Sequence, residues 1–365
     1  MTALTLPANA LAEVVARLAS MTERANATFS RTSGLLVTID PARTDRFAHC
    51  RVSDGTIRYS EYVPCEIEGE KVSWRIPIHE LLRVTSGLAS TDPVAISDGQ
   101  PQLHVMGAGI KAKVPLIVDL DFLAWDVVDP KDLVAAPSLF ANIHAVEWAA
   151  VTRPGSQSNL TAVHFAPGLI AATDRYSMAF TEPDYPEEMG SGLVAAAALR
   201  SLPRLGYQPL AKFTDREFVV QCSPYAQAAV TLIADEPLNF RSLLEKRPTP
   251  DALVRFESKD FVTALKRAAS LTDDTRQVDM TFSPEGISII AGDPTATIAQ
   301  LDVEAEVEKV DAPYTLRVNA ESVLAAMRES KGEALIAFDP QAEHSALHVK
   351  TSRSRVILMP VRTSK

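Results

Sequence analysis

The sequence predicts an α+β protein made of three domains of similar build. Two patterns carry this expectation. Short β-type runs fill most of the chain, and six amphipathic helical stripes recur among them at intervals of about 60 residues. The length adds a third observation: 365 residues correspond to two or three domains of about 100–150 residues each. Such a chain can bury substantial apolar cores without a disulfide or a metal.

The β-type runs are exemplified by Gly286-Ile287-Ser288-Ile289-Ile290-Ala291 and Ser354-Arg355-Val356-Ile357-Leu358-Met359, rich in the residues that suit a pleated, half-buried surface. The first helical stripe is Leu11, Val14, Val15 and Leu18. The second is Ile78, Leu81 and Leu82, with Pro77 at a first-turn position. The third is Leu139, Ile143 and Val146 behind Ser138 as a cap, and the fourth is Val194, Ala198, Leu199 and Leu202, ending near Pro203. The fifth, opened by Ser258, is Phe261, Val262, Leu265 and Ala269, and the sixth is Val323, Leu324 and Met327 behind Asn319 as a cap.

Taken in pairs, the stripes give a period of about 120 residues, hence two helices and many strands per domain. Proline and polar residues cluster at Asp129-Pro130-Lys131 and Arg247-Pro248-Thr249-Pro250, which places linkers there. The expected domains are 1–125, 130–248 and 250–365.

Composition bounds the function. Hydrophobic residues make up 46% of the chain and charged residues 22%, ordinary for a folded soluble protein. Cys50, Cys65 and Cys222 are far apart and form no C-x-x-C pair. They read as free thiols, which fits a reducing cytoplasm. The first residues, Met1 to Pro7, do not form a signal peptide, and no apolar stretch reaches the roughly 18 residues of a membrane span. Asn26-Ala27-Thr28 and Asn159-Leu160-Thr161 match the glycosylation sequon, which carries little weight without a secretion signal. The net charge of −10 and pI near 5.3 argue against a protein that coats nucleic acid, but allow a local basic surface on an acidic body.

Enzymatic signatures are missing from the sequence: no G-x-S-x-G, no H-E-x-x-H and no complete P-loop. Gly107-Ala108-Gly109 lacks a third glycine and falls between strand-like runs. His344 and His348, beside Glu343, are four apart, but Leu347-His348-Val349 reads as a strand. Four residues of strand separate two side chains by about 13 Å, too far for one ion. The reading is of a non-enzymatic protein with no cofactor and no metal.

The faces of the helices turned away from the apolar stripes carry Arg17, with Arg24 just beyond the first helix, and Arg83, Arg153, Arg200, Arg204, Lys259, Lys266, Arg267, Arg328 and Lys331. Glu13, Glu80, Glu147, Asp260 and Glu329 share these helices. The two readings are solvated mixed-charge faces, or a weakly basic surface that meets phosphates without reading bases.

Three segments are more specific. The chain closes with Val356-Ile357-Leu358-Met359-Pro360-Val361-Arg362, its middle holds Ala172-Thr173-Asp174-Arg175-Tyr176-Ser177-Met178-Ala179, and between them lies Asp235-Glu236-Pro237-Leu238-Asn239-Phe240-Arg241-Ser242-Leu243-Leu244. These resemble, in order, the terminal Met-Pro-Met/Val-Arg strand, the Ala-Thr-Asp-Gly-His-Arg-Leu-Ala segment and the Phe-Pro-Asp-Tyr region of bacterial-type DNA polymerase III beta subunits, the sliding clamps. Phe261 to Ala269 and Val323 to Met327 look like helices of that family's last domain, and Arg75 to Leu82 followed by strands through Leu116 supplies the match in the first. The resemblance is densest over residues 137–365. Arg175, Tyr176 and Ser177 replace the family's Gly-His-Arg, Leu238 replaces its proline, and Thr363-Ser364-Lys365 replaces its last leucine.

The resemblance implies three DNA-clamp domains per chain, each with two helices packed on antiparallel sheets, together forming half of a ring. It implies a cytoplasmic DNA polymerase processivity factor: a head-to-tail homodimer that encircles duplex DNA, without sequence preference, and tethers the replicative polymerase and the clamp loader through short peptide motifs. A three-domain chain disfavours the two-domain trimeric clamps. The DNA-facing residues would be Arg24, Arg83, Arg153, Arg200, Arg204, Lys266, Arg267 and Arg328. Leu271 would be an apolar contact at the dimer interface, with core packing as the competing reading. Partner peptides would enter a pocket formed by Leu160, Thr173, Arg175, Tyr176, Met178, Leu238, Leu243, Ile357, Met359, Pro360, Val361 and Arg362, for which ordinary core is the competing reading. The alternative function is a clamp-like accessory or inhibitory homologue without a direct replication role.

Overall fold

A computed structural model of the protein describes residues 2–22, 34–42, 46–118, 125, 127–153, 155–204, 206–245, 250–292, 298–342 and 344–361. Among these residues there are seven α-helices: α1 (Ala8–Ser20), α2 (Ile78–Thr85), α3 (Leu139–Val146), α4 (Ala196–Ser201), α5 (Phe240–Glu245), α6 (Ser258–Ala269) and α7 (Ala320–Ala326). Six are the expected helices, and α5 is additional. Strands fill most of the remainder and form four antiparallel sheets. The α+β class with antiparallel sheets is therefore the observed one. No helix is long and apolar enough to cross a membrane.

Two compact units organise the chain, 1–137 with 186–190 and 198–232, and 138–185 with 191–197 and 233–365. In the first unit, Ala3–Pro7 lies inside a five-stranded sheet that ends on Ile110–Pro115. An eight-stranded sheet is continuous through Ala226–Thr231 and Ile57–Pro64, which pair from Ala226 opposite Glu61 to Val230 opposite Ile57. Helix α1 buries Leu11, Val15 and Leu18, each worth about 1.5–3 kcal/mol when fully removed from water. Gly107 opens the turn between Gln102–Gly107 and Ile110–Pro115. A Cβ there would lie 2.2 Å from the Pro93 carbonyl oxygen, so this glycine serves close strand packing.

The second unit holds a nine-stranded sheet in which Ser177–Thr181 pairs with Arg355–Leu358, Met178 facing Ile357 across the join. A four-stranded sheet ends on Ile298–Val303. Asn319 caps α7 by accepting the Ser322 N–H at 3.0 Å, as the sequence suggests.

Several local expectations are corrected. Ser138 stands in left-handed geometry (φ 59°) and makes no side-chain cap to α3, so its hydroxyl cannot reach the orphan N–H groups. Pro77 precedes α2 rather than opening its first turn. Val194 lies within the strand Gly192–Ala195 instead of joining α4. Arg17 is not on a free face: its Nη2 and Nε donate to Glu61 at 2.6 and 3.1 Å. Of the expected linkers, Pro130–Asp132 is a single 3-10 turn started by Asp129, which accepts the Lys131 N–H, while residues 247–249 lie outside the described residues. Cys50 and Cys222 are buried and Cys65 is half-buried, all as free thiols. Burial pushes all three thiols above their ordinary pKa, Cys222 to about 12, which keeps them protonated and unreactive.

Candidate functional site

The join between Ser177–Thr181 and Arg355–Leu358 carries a cavity of about 260 Å³. Alternation along the strands decides what forms its base. Leu169 and Ala171, and Met178 and Phe180, point to one face of the sheet, where they meet Phe240 and Ile357 in a buried cluster. The cavity opens beside this cluster and is lined by Leu160, Thr173, Arg175, Tyr176, Met178, Leu238, Leu243 and Ile357. These eight come from three segments at least 60 residues apart in sequence. Arg175, Tyr176 and Leu243 face solvent there, while Leu160, Thr173, Met178 and Ile357 are buried, Met178 and Ile357 as members of the core cluster.

Gln157 and Ser177 also line the cavity and were not in the expected set. Ser177 was legible only as a departure from the family pattern, and no sequence signal marks Gln157. Of the remaining expected residues, Met359 donates its N–H to the Tyr176 carbonyl at 2.8 Å, and Val361 donates to the Arg317 carbonyl at 2.8 Å. Both follow the last strand without lining the cavity, as does Pro360. Arg362 lies outside the described residues.

One wall is the turn from Thr173 to Ser177, which its own side chains hold. The Thr173 hydroxyl donates to the Ser177 carbonyl at 2.6 Å and accepts the Arg175 N–H at 3.1 Å. Asp174 Oδ1 accepts the N–H groups of Tyr176 and Ser177 at 2.9 and 2.5 Å. Arg175 is thereby fixed at φ 78°, the left-handed region that glycine occupies without strain. Its Nη2 donates to Gln157 Oε1 at 2.5 Å. Tyr176 is 75% exposed.

The opposite wall is held by His164. Its Nε2 meets the Asn159 carbonyl at 2.7 Å, and its Nδ1 accepts the Leu238 N–H at 3.4 Å. These partners assign the proton to Nε2 and leave the ring neutral. Burial lowers the imidazole pKa, opposed by the Asn159 bond and the charge of Asp235. Ser158 clips the same region by donating to Asp235 at 2.6 Å. Beyond Leu238, Asn239 Oδ1 accepts the Ser242 N–H at 3.0 Å and starts α5, which carries Leu243 to the rim.

A second feature lies between α6 and α7, where a groove of about 710 Å³ is lined by Lys259, Lys266, Arg328 and Lys331 against Glu257 and Glu321. Arg328 and Lys331 follow the end of α7 rather than lying on it. A neighbouring groove of about 680 Å³ has the opposite sign, with Glu257, Asp260, Asp302, Glu304, Glu306 and Glu333 against Arg255. Charge is thus segregated over short distances, which a uniform mixed-charge surface would not show. Arg267 is exposed on α6 outside the basic groove. Arg83 is exposed and ion-paired with Glu80. Arg153, Arg200 and Arg204 are exposed, and Arg24 lies outside the described residues. Leu271 follows α6 and is 41% exposed, so it is not core. Among the described residues no group of three or more His, Cys, Asp or Glu is placed to hold a metal.

The overall architecture matches solved structures along the whole chain. The Thermotoga maritima DNA polymerase III beta subunit aligns over all of both chains with a TM-score of 0.81 at 14% identity. The architecture is a sliding-clamp fold. The clamp from Bartonella birtlesii, solved bound to griselimycin, gives a TM-score of 0.84 at 14% identity over all of both chains. The Pseudomonas aeruginosa beta subunit gives 0.79 at 16% identity, covering 99% of this chain and all of its own. No protein-family model matches the sequence, and no curated protein matches it. The clamp fold is therefore retained here in a sequence that has diverged far from these structures.

Proposed function

We propose that this chain is a DNA polymerase processivity factor, one half of a dimeric ring that slides on duplex DNA and tethers partner proteins by peptides bound in the cavity beside Tyr176. The observation that carries this reading is the cavity itself. In a clamp-fold chain, the terminal strand and the Thr173–Met178 segment, which the sequence marks by resemblance, meet at an apolar opening. Buried apolar anchors of this kind supply most of the affinity in small interfaces, and Met178 lets the floor adapt to different partners.

The basic groove between α6 and α7 is the part of the DNA-facing surface with the clearest chemistry. Lysine and arginine contacts to phosphates carry no base information, so movement along the duplex changes little energy. The acidic groove nearby would disfavour DNA binding elsewhere on the chain. Closure of the ring is read from two sheet edges left unpaired among the described residues. Ile110–Pro115 presents Lys111 and Lys113, while Ile298–Val303 presents Asp302, with Leu271 exposed as an apolar contact. Complementary edges suit a heterologous, head-to-tail pairing that closes into a dimer. The domain division 1–125, 130–248 and 250–365 and a cytoplasmic location belong to the same reading.

The test is a primed-circle replication assay with the cognate loader and polymerase. Addition of the protein should lengthen products per binding event, and no gain in processivity would overturn the proposal. Light scattering at micromolar concentration should give the mass of two chains.

A further inference from the structure

We propose that the groove between α6 and α7 receives an acidic segment of a partner protein, held by an apolar side chain, and that duplex DNA competes with it. The competition rests on the groove being DNA-facing. The docking stands on the build of the groove alone.

Each helix carries two rows of residues. On α6 the core takes Phe261, Ala264, Leu265 and Ala268. A second row, Lys259, Val262 and Lys266, runs along the groove at spacings of three and four. On α7 the core takes Ala320, Val323 and Ala326, and Leu324 and Ala325 face the groove instead. Val262, Leu324 and Ala325 are half-buried, so the groove of about 710 Å³ has an aliphatic floor between charged rims.

The cations gather at one end. The Ser258 N–H donates to the Gly332 carbonyl at 2.9 Å, and the Ser258 and Ser330 hydroxyls meet at 2.6 Å. The start of α6 thus lies beside the residues that follow α7, which brings Lys259 and Lys331 to that end, with Arg328 two residues before Ser330. Among the described residues none of these three cations is in an ion pair. Lys266 lies about two turns further along α6. Glu321, at the start of α7, is held by Arg276 Nε at 3.4 Å, which weakens its opposition to an incoming anion. The acidic groove shares Glu257 with this one, so an anionic ligand is repelled on that side.

Duplex phosphates can use the rim but not the floor. The floor has no aromatic ring on which single-stranded bases could stack. A polypeptide with carboxylates next to an aliphatic side chain fits both. Its carboxylates accept charge-assisted hydrogen bonds from Lys259, Arg328 and Lys331. Its side chain leaves water against Val262, Leu324 and Ala325. From Lys259 to Lys266 the helix advances about 10 Å, a distance spanned by about three extended residues.

The experiment titrates the full chain with three rhodamine-labelled, amidated peptides, read by anisotropy: Gly-Glu-Glu-Leu-Leu-Gly, Gly-Gln-Gln-Leu-Leu-Gly and Gly-Glu-Glu-Ser-Ser-Gly. The first should bind wild type about tenfold more tightly than the second, which lacks the charges. It should also bind about tenfold more tightly than the third, which lacks the anchor. The double variant Arg328→Gln with Lys331→Gln should weaken the first peptide about tenfold and leave the second unchanged. Leu243→Glu, at the rim of the cavity beside Tyr176, should leave binding of the first peptide intact. No binding of the first peptide to wild type, equal affinities of the first two, or full binding of the first to the double variant would overturn the proposal. Equal affinities of the first and third would reduce the groove to a surface for charge alone and overturn it as well. Loss of binding in Leu243→Glu would assign the peptide to the other cavity, with the same result. A duplex of about 20 base pairs should displace the first peptide. If it does not, the competition and the DNA-facing reading of the groove are overturned, while the peptide titrations decide the docking.

Discussion

Each unit contains one sheet that joins distant parts of the chain, and the two joins share a backbone device but differ in their side chains. In the first, the hairpin Glu217–Ser223 to Ala226–Thr231 lays its second strand on Ile57–Pro64. In the second, the hairpin Leu169–Thr173 to Ser177–Thr181 lays its second strand on Arg355–Leu358. Both hairpin turns present a tyrosine whose carbonyl accepts an N–H from the joined segment at 2.8 Å: Tyr225 from Tyr62, and Tyr176 from Met359. Tyr225 then stacks on Phe47 with ring centroids 5.0 Å apart, and Arg58 pairs with Glu217 across the seam. Tyr176 has no ring stacked on it among the described residues, and the cavity opens beside it. Backbone pairing thus builds a joint in either unit. The first joint is sealed by a ring stacked on its tyrosine, which stays 53% exposed, and the second is left receptive.

The largest way to break the receptive joint is Phe240→Ala. Phe240 is buried against Met178 and Ile357 and meets His164 edge-on at 4.8 Å. Its truncation should cost about 3–5 kcal/mol, read as a lower urea midpoint, and should also abolish peptide binding. The matching cut in the sealed joint is Glu61→Leu. Glu61 lies opposite Ala226 in the seam and accepts from both Arg17 and Tyr59. Stranding the half-buried Arg17 should cost about 3 kcal/mol while leaving peptide affinity unchanged. Equal effects of the two variants on binding would erase the distinction between the joints.

Much of the fold was legible because its signals are local. Stripes such as Leu11, Val15 and Leu18 repeat over several turns, and the Asn319 cap sits three residues before the N–H it accepts. Helix α5 was not legible, since Phe240–Glu245 is too short for a 3.6-residue period to register. Arg17 was misread because Glu61 is 44 residues away, and side-chain reach across elements leaves no periodicity. Ser138 carries the right chemistry for a cap, but the φ of 59° that disables it is set by the surrounding chain. The cavity residues came from family resemblance rather than pattern. Gln157 escaped because its role depends on Arg175 reaching back to a residue two strands earlier in the chain.

The two tyrosines give a smaller and sharper comparison. Tyr176→Ala should weaken peptide binding about tenfold and change stability by less than about 0.5 kcal/mol. Tyr225→Ala should do the reverse, losing about 0.5–1.5 kcal/mol of ring-pair energy with peptide affinity intact. A binding defect in Tyr225→Ala would mean that the sealed joint also contacts partners.

The smallest expected effect is a pH dependence confined to the receptive joint. His164 bridges two walls of the cavity only while neutral, because Nδ1 must accept the Leu238 N–H. Burial holds its pKa below the ordinary value of 6.5, so the unfolded chain takes up the proton first as pH falls. The contribution of His164 is complete above about pH 6.5 and is lost as pH falls through the lower folded pKa. A protonated Nδ1 would oppose the Leu238 N–H, release that segment and widen the cavity mouth. Thermal midpoint and peptide affinity should therefore fall together as pH drops below about 6.5, and His164→Gln should flatten both profiles. Parallel pH profiles in wild type and His164→Gln would mean that the histidine merely fills space and that the walls are held by Ser158, Asp235 and the Phe240 cluster instead.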